Sequence, residues 1–199
     1  MRTHVVHDLP RLPPYGFGRV STMWWGTLGY IALEGMGFAL GLGTYFYLAY
    51  HAQRWPLGAA PPVLWPATLL LVVLLASIWP NLKVDRDARN EDLPRVRRGL
   101  VLMSAIGLLT LAIRAFEITL LHPRWDANAY GSILWVLVGL HTLHLLTDVG
   151  DTIVVTVLMF TRHGHGRRFS DVSDNAFYWY FIIGSWALLY VVLYWAPRT

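Results

Sequence analysis

The sequence contains no cysteine. That excludes a disulfide framework, a thiolate metal centre, an iron–sulfur cluster and a cysteine nucleophile. Charge is scarce as well: 14% of the 199 residues are Asp, Glu, Lys or Arg, where a soluble domain carries roughly a quarter. The first twenty-odd residues hold no apolar run. Pro10, Pro13 and Pro14 interrupt Met1 to Ser21, so no cleavable signal core is expected there. No repeat of fixed period and no low-complexity tract is present.

What is abundant is apolar length. Hydrophobic residues make up 55% of the chain, the mean hydropathy is +0.43, and there are 10 Trp and 10 Tyr. Trp and Tyr satisfy both an apolar ring and a polar tip at a bilayer boundary. A hydrocarbon core needs about 20 apolar residues of helix, and five stretches supply them: about 24–50, 62–80, 99–121, 132–161 and 176–196. The expected architecture is all-α, a polytopic membrane bundle of five helices over residues 23–197. Residues 1–22 form a tail.

Lys and Arg alternate between the two ends of these spans. Arg2, Arg11 and Arg19 precede the first. Lys83, Arg86, Arg89, Arg95, Arg97 and Arg98 follow the second. Arg162, Arg167 and Arg168 follow the fourth. The opposite end has Arg54, Arg124 and Arg198. Basic residues are retained on the cytoplasmic side, so the N-terminus is expected inside and the C-terminus in the periplasm. The net charge of +4 then reflects topology, and no nucleic-acid partner is expected.

Ionisable residues within the spans are costly, at least about 2.5–3.5 kcal/mol each near the bilayer centre. Glu34 stands alone in the first span, followed by Gly35, Gly37, Gly41 and Gly43. It is expected to be neutral, or hydrogen-bonded to a neighbouring helix or a lipid. Arg114 and Glu117 are i, i+3 neighbours able to neutralise each other; a lipid headgroup or subunit contact is the other reading. His141, His144, Asp148 and Asp151 are spaced three, four and three apart, which puts them on one face of the fourth span. This polar stripe reads as a packing seam with His144 bonded to Asp148, or as a proton path. A metal site is disfavoured because no Glu-x-x-His pair occurs. Two His on one helix turn also cannot ligate one haem from opposite sides. The tract His163-Gly164-His165-Gly166-Arg167-Arg168 reads as a basic loop, with metal binding as the lesser alternative.

Three segments resemble a known family, subunit III of the haem–copper oxidases in its short five-helix form. Trp24-Trp25-Gly26 with Leu33-Glu34-Gly35-Met36-Gly37-Phe38 and Tyr45-Phe46 is similar to the family helix that holds a membrane-embedded glutamate, which Glu34 matches. Gly139-Leu140-His141-Thr142-Leu143-His144 is similar to the family's Gly-Phe-His-Gly-Leu-His segment. Asp174-Asn175-Ala176-Phe177-Tyr178-Trp179-Tyr180-Phe181, with Trp186, is similar to its last helix. Phe116-Glu117 fits an aromatic–Glu pair of the preceding helix. The sequence departs from the family at Tyr180 and Ile183, where the family has His and Asp.

The resemblance implies a non-redox accessory subunit of a bacterial terminal oxidase in aerobic respiration, placed in the inner membrane. It would carry no haem and no copper, both of which belong to partner subunits. It would pack on subunit I, with subunit II as a further partner, bind phospholipid in a cleft and support proton uptake and turnover. Glu34, Arg114, Glu117, His141 and His144 are then the residues expected to contact lipid or another subunit. No catalytic, cofactor-binding or metal-binding residue is expected. A subunit-III-like protein of a nitric oxide reductase is the alternative, ahead of a free-standing membrane haem protein or a transporter. A transporter fits poorly because five spans do not divide into two equal halves.

Overall fold

The computed structural model describes residues 22–161 and 168–198. The N-terminal arginines and the His163–Arg167 tract lie outside the described residues. Among the described residues the chain is helical with no strand, and five helical spans are long and apolar enough to cross a membrane.

The first span is one helix, α1 (Thr22–His51). The second is broken into α2 (Leu64–Ala76) and α3 (Ile78–Arg89). The cause of the break is local. Pro80 has no N–H to offer the carbonyl of Ala76, and its ring crowds that carbonyl. Ser77 fills the joint: its hydroxyl donates to Leu74 O at 2.6 Å and accepts from Trp179 Nε1 at 2.7 Å. Pro66 sits in the first turn of α2, where a missing N–H costs nothing.

The third span is α4 (Leu93–Thr119). Asp92 caps it, accepting from the Arg95 backbone N–H at 3.2 Å, and Pro94 stands in its first turn. The fourth, α5 (Ala129–Phe160), is capped by Asn128, which accepts from Gly131 N at 2.8 Å. Both caps satisfy an N–H that the helix leaves orphaned. The fifth, α6 (Arg168–Tyr190), passes into a π-helical turn at Val191–Trp195 and a last 3-10 turn at Ala196–Arg198.

The helices overshoot the apolar stretches. The charged segment Asn81 to Arg98, between the second and third apolar stretches, is the end of α3, a turn at Asn90–Asp92 and the start of α4. Hydropathy measures the hydrocarbon crossing, and a helix continues past it wherever one face stays covered. Here Val84 and Ala88 of α3 are buried, and Asp85 pairs with Arg89 at 3.1 Å. Gly99 makes the hairpin close: a Cβ there would collide with the Val84 side chain. In the same way α6 begins eight residues before 176, with Phe169 and Val172 buried.

The α5–α6 pair forms the centre of the bundle. α1 packs on both of them, and the α2–α3 span and α4 close their remaining faces. α1 fits closely through its glycines. Gly35 faces Phe181, Gly37 faces Leu140, and a Cβ at Gly41 would lie 2.6 Å from Leu137 Cδ2. Small residues allow such approach where no hydrophobic force drives helices together.

On the positive-inside bias, the Asn90–Asp92 turn is expected on the cytoplasmic side. A compartment-sensitive reporter fused after Arg89 should read as cytoplasmic, and one fused after Arg124 as periplasmic; the reverse pattern would invert the topology.

Candidate functional site: two polar centres inside the bundle

Five of the seven residues singled out from the sequence meet in two separate centres. The other two, Asp148 and Asp151, line a cleft.

The first centre joins α4, α5 and α6. Arg114 Nη1 donates to Glu117 Oε2 at 2.8 Å within one turn of α4. Arg114 Nη2 lies 2.9 Å from His141 Nδ1 on α5, and His141 Nε2 lies 3.1 Å from the carbonyl of Ile182 on α6. Donor bookkeeping fixes the histidine. A guanidinium has no acceptor, so Nδ1 accepts. The Ile182 carbonyl accepts too, so Nε2 carries the proton. His141 is therefore a neutral imidazole with both nitrogens engaged. Glu117 Oε1 accepts from the Tyr194 hydroxyl, which the π-helical turn holds in place. The guanidinium carbon sits 3.8 Å from the Trp186 ring centroid, where the ring's negative face stabilises the cation. Arg114 and His141 are both 0% exposed. Within this chain they offer no surface to a lipid headgroup; their visible partners are other helices.

The second centre joins α1, α5 and α6. Glu34 Oε1 lies 3.1 Å from His144 Nε2, and Glu34 Oε2 accepts from the Tyr178 hydroxyl. Glu34 is 9% exposed. Phe38, one turn further along α1, separates the two centres: its ring centroid lies 5.0 Å from that of His144 and 6.3 Å from that of His141. Glu34 thus meets partners on two neighbouring helices.

The fourth-span stripe does not act as one network. His141 belongs to the first centre and His144 to the second. The i, i+4 bond from His144 to Asp148 is not formed; His144 reaches α1 instead, because its Nε2 extends sideways to a carboxylate on the neighbouring helix. Asp148 is 2% exposed, and neither of its oxygens has a hydrogen-bond partner among the described residues. It lies on the wall of a cleft of about 480 Å³ shared with Tyr30, Asp151, Asp174, Asn175 and Tyr178. Asp151 is exposed there and accepts from Asn175 Nδ2 at 3.3 Å. The cleft runs from the Glu34 centre toward the ends of the spans where α1 and α6 begin. Its other walls are apolar, with Met23, Val154, Val155 and Leu158.

Tyr178 and Tyr194 were not singled out from the sequence. The available signal was a hydroxyl placed in a span, which must find a partner once buried. Among the described residues no group of three or more His, Asp or Glu side chains is arranged to hold a metal ion.

A family model described as cytochrome c oxidase subunit III matches residues 65–197. The chain belongs to that family. Among its relatives is cytochrome c oxidase subunit 3 of Thermostichus vulcanus, 22% identical over 172 residues, with 85% of each chain covered. The probable cytochrome c oxidase subunit 3 of Mycobacterium tuberculosis is 28% identical over 180 residues, again with 85% of each chain covered. The subunit 3 of the echidna Tachyglossus aculeatus aculeatus is 27% identical over 168 residues, covering 76% of this chain and 62% of that relative. The fold agrees with a multi-pass oxidase subunit. The two departures in α6 occupy different settings: Ile183 is buried in the core and Tyr180 is half-buried.

Proposed function

We propose that this chain is the non-redox subunit III of a bacterial haem–copper terminal oxidase, in the cytoplasmic membrane. It packs on subunit I, with subunit II in the same complex, binds phospholipid, and supports proton uptake and sustained turnover in aerobic respiration. The observation that carries this reading is the pair of polar centres within the family's helices. Arg114 pairs with Glu117 on its own helix and reaches His141 on α5, Glu117 accepts from Tyr194, His141 reaches the Ile182 carbonyl on α6, and Glu34 meets His144 and Tyr178, so most of these polar groups are spent on contacts between helices. A chain organised this way serves as a scaffold. The acidic cleft below Glu34 supports the proton-uptake part: it brings Asp148, Asp151 and Asp174 to one opening, at the end of the bundle expected in the cytoplasm from the positive-inside bias.

A free-standing haem protein built on the fourth-span histidines is disfavoured. His141 has both nitrogens engaged, by Arg114 and by the Ile182 carbonyl, so it has none to offer as an axial ligand. His144 alone could supply one axial position, and its Nε2 faces Glu34.

A tag on this chain should co-purify a large, histidine-rich, haem-bearing subunit, while the chain isolated from it should show no Soret band and no stoichiometric copper. Stoichiometric haem or copper in the isolated chain would overturn the accessory role. Recovery of a transport partner in place of a haem subunit would overturn the oxidase assignment.

A further inference from the structure

A second surface lies well away from the two polar centres, on the α3–α4 hairpin. Trp79, Pro80, Lys83, Val84 and Asp87 of α3 face Arg95, Arg98, Gly99 and Leu102 of α4 across a groove of about 330 Å³. The close approach at Gly99 sets its floor. Three cations and one carboxylate line it.

The basic residues of this hairpin are not equivalent. Arg89 is paired with Asp85 at 3.1 Å, and Arg95 with Asp92 at 3.0 Å. Arg97 turns the other way, donating to the carbonyl of Met159 at 2.7 Å and lying over Phe160. Lys83 and Arg98 have no carboxylate within ion-pair distance among the described residues. Lys83 is held by an aromatic ring instead, with Nζ 3.4 Å from the Trp79 centroid. Arg98 Nε donates to the carbonyl of Pro94 at 3.3 Å, which leaves its terminal nitrogens for another acceptor.

The groove is also amphipathic along its length. At the turn end stand the cations. Toward the bilayer centre the wall is Trp79, 65% exposed, and Leu102, and the exposed apolar surface continues through Leu75 and Val72 of α2 and Leu109 of α4. A soluble anion would match the cations and leave the apolar wall uncovered. An acyl chain alone would leave the cations unused.

We propose that this groove is a binding site for an anionic phospholipid. The headgroup phosphate sits between Lys83 and Arg98, and one acyl chain runs along Trp79 and Leu102. A phosphate oxygen accepts from the Arg98 guanidinium and from the Lys83 ammonium, the pairing that guanidinium and phosphate geometry favours. Basic pockets between spans at the membrane surface select anionic headgroups for this reason. The lipid covers the hairpin's outer face and braces α3 beyond the break at Ser77. The site is distinct from the acidic cleft around Asp148, which would repel the same headgroup.

The test uses the full chain in nanodiscs of unlabelled phosphatidylcholine, with a small mole fraction of a bromine-labelled lipid as tryptophan quencher. Brominated phosphatidylglycerol should quench more than brominated phosphatidylcholine, corresponding to about tenfold enrichment at the groove. The excess should vanish in Trp79→Phe and in the double variant Lys83→Gln/Arg98→Gln. Both substituted cations are exposed, so folding is not at stake. The excess should persist in Arg54→Gln, which removes an exposed cation at the other end of the bundle. Equal quenching by the two lipids, an excess that survives the double variant, or an excess lost in Arg54→Gln would overturn the proposal. Displacement of the excess by inorganic phosphate at matched ionic strength would overturn the lipid assignment in favour of a free-anion site.

Discussion

Glu117→Ala should be the most damaging single change at the polar centres, costing the bundle about 3–5 kcal/mol, the range for breaking a buried ion pair from one side. The reason is what it leaves behind. Arg114 is wholly buried and stays cationic. Without Glu117 it keeps only the His141 nitrogen and the Trp186 face. The Tyr194 hydroxyl loses its acceptor at the same time, and that loosens the end of α6. His141→Ala should cost less, about 1–3 kcal/mol, because the Arg114–Glu117 pair at 2.8 Å survives it.

The decisive variant is the double one. Arg114→Met with Glu117→Leu removes both charges and fills the space with apolar side chains. Replacing a whole buried pair is often neutral, so the double variant should recover most of what either single change loses. The readout is the denaturant midpoint of the purified chain in detergent, alongside its level in membranes. If Glu117→Ala unfolds at the parent midpoint, or the double variant is as unstable as the single, the centre does not hold the helices together.

The parts legible in the sequence were those encoded by spacing along one helix. Five spans follow from apolar length, and the Arg114–Glu117 pair follows from an i, i+3 interval. Partners on other helices were not legible, because nothing in a spacing says which face of α5 meets which face of α1. His144 shows the point. Its interval to Asp148 invited a bond along the helix, yet the carboxylate it meets belongs to Glu34, 110 positions earlier. His141 was read as part of the same stripe, but one turn of helix and the Phe38 ring separate it from His144. Helix ends were not legible for a different reason. The charged segment of α3 and the first residues of α6 lie beyond the apolar stretch, but a buried stripe of Val84, Ala88, Phe169 and Val172 keeps them helical.

Glu34 separates structural support from proton traffic, because its carboxyl can be altered in two steps. Glu34→Gln keeps the shape and one carbonyl oxygen, so Tyr178 retains an acceptor, but it cannot ionise. Glu34→Ala removes the group and leaves the Tyr178 hydroxyl and His144 Nε2 without their acceptor, at about 1–3 kcal/mol for each buried group left unsatisfied. α1 docks on the bundle through this centre and its glycines, so the alanine variant should lose α1 packing and with it the association of this chain with the rest of the oxidase. The glutamine variant should assemble at parent levels. Oxygen consumption followed over many turnovers, with subunit content checked by gel, reads both effects. The expected result is normal assembly and a normal enzyme lifetime for glutamine, and a substoichiometric chain with early inactivation for alanine. An assembled glutamine variant whose activity decays early would assign Glu34 to proton delivery, where the acidic cleft that begins beside it would be the source. Full assembly and parent activity for both variants would remove Glu34 from either role.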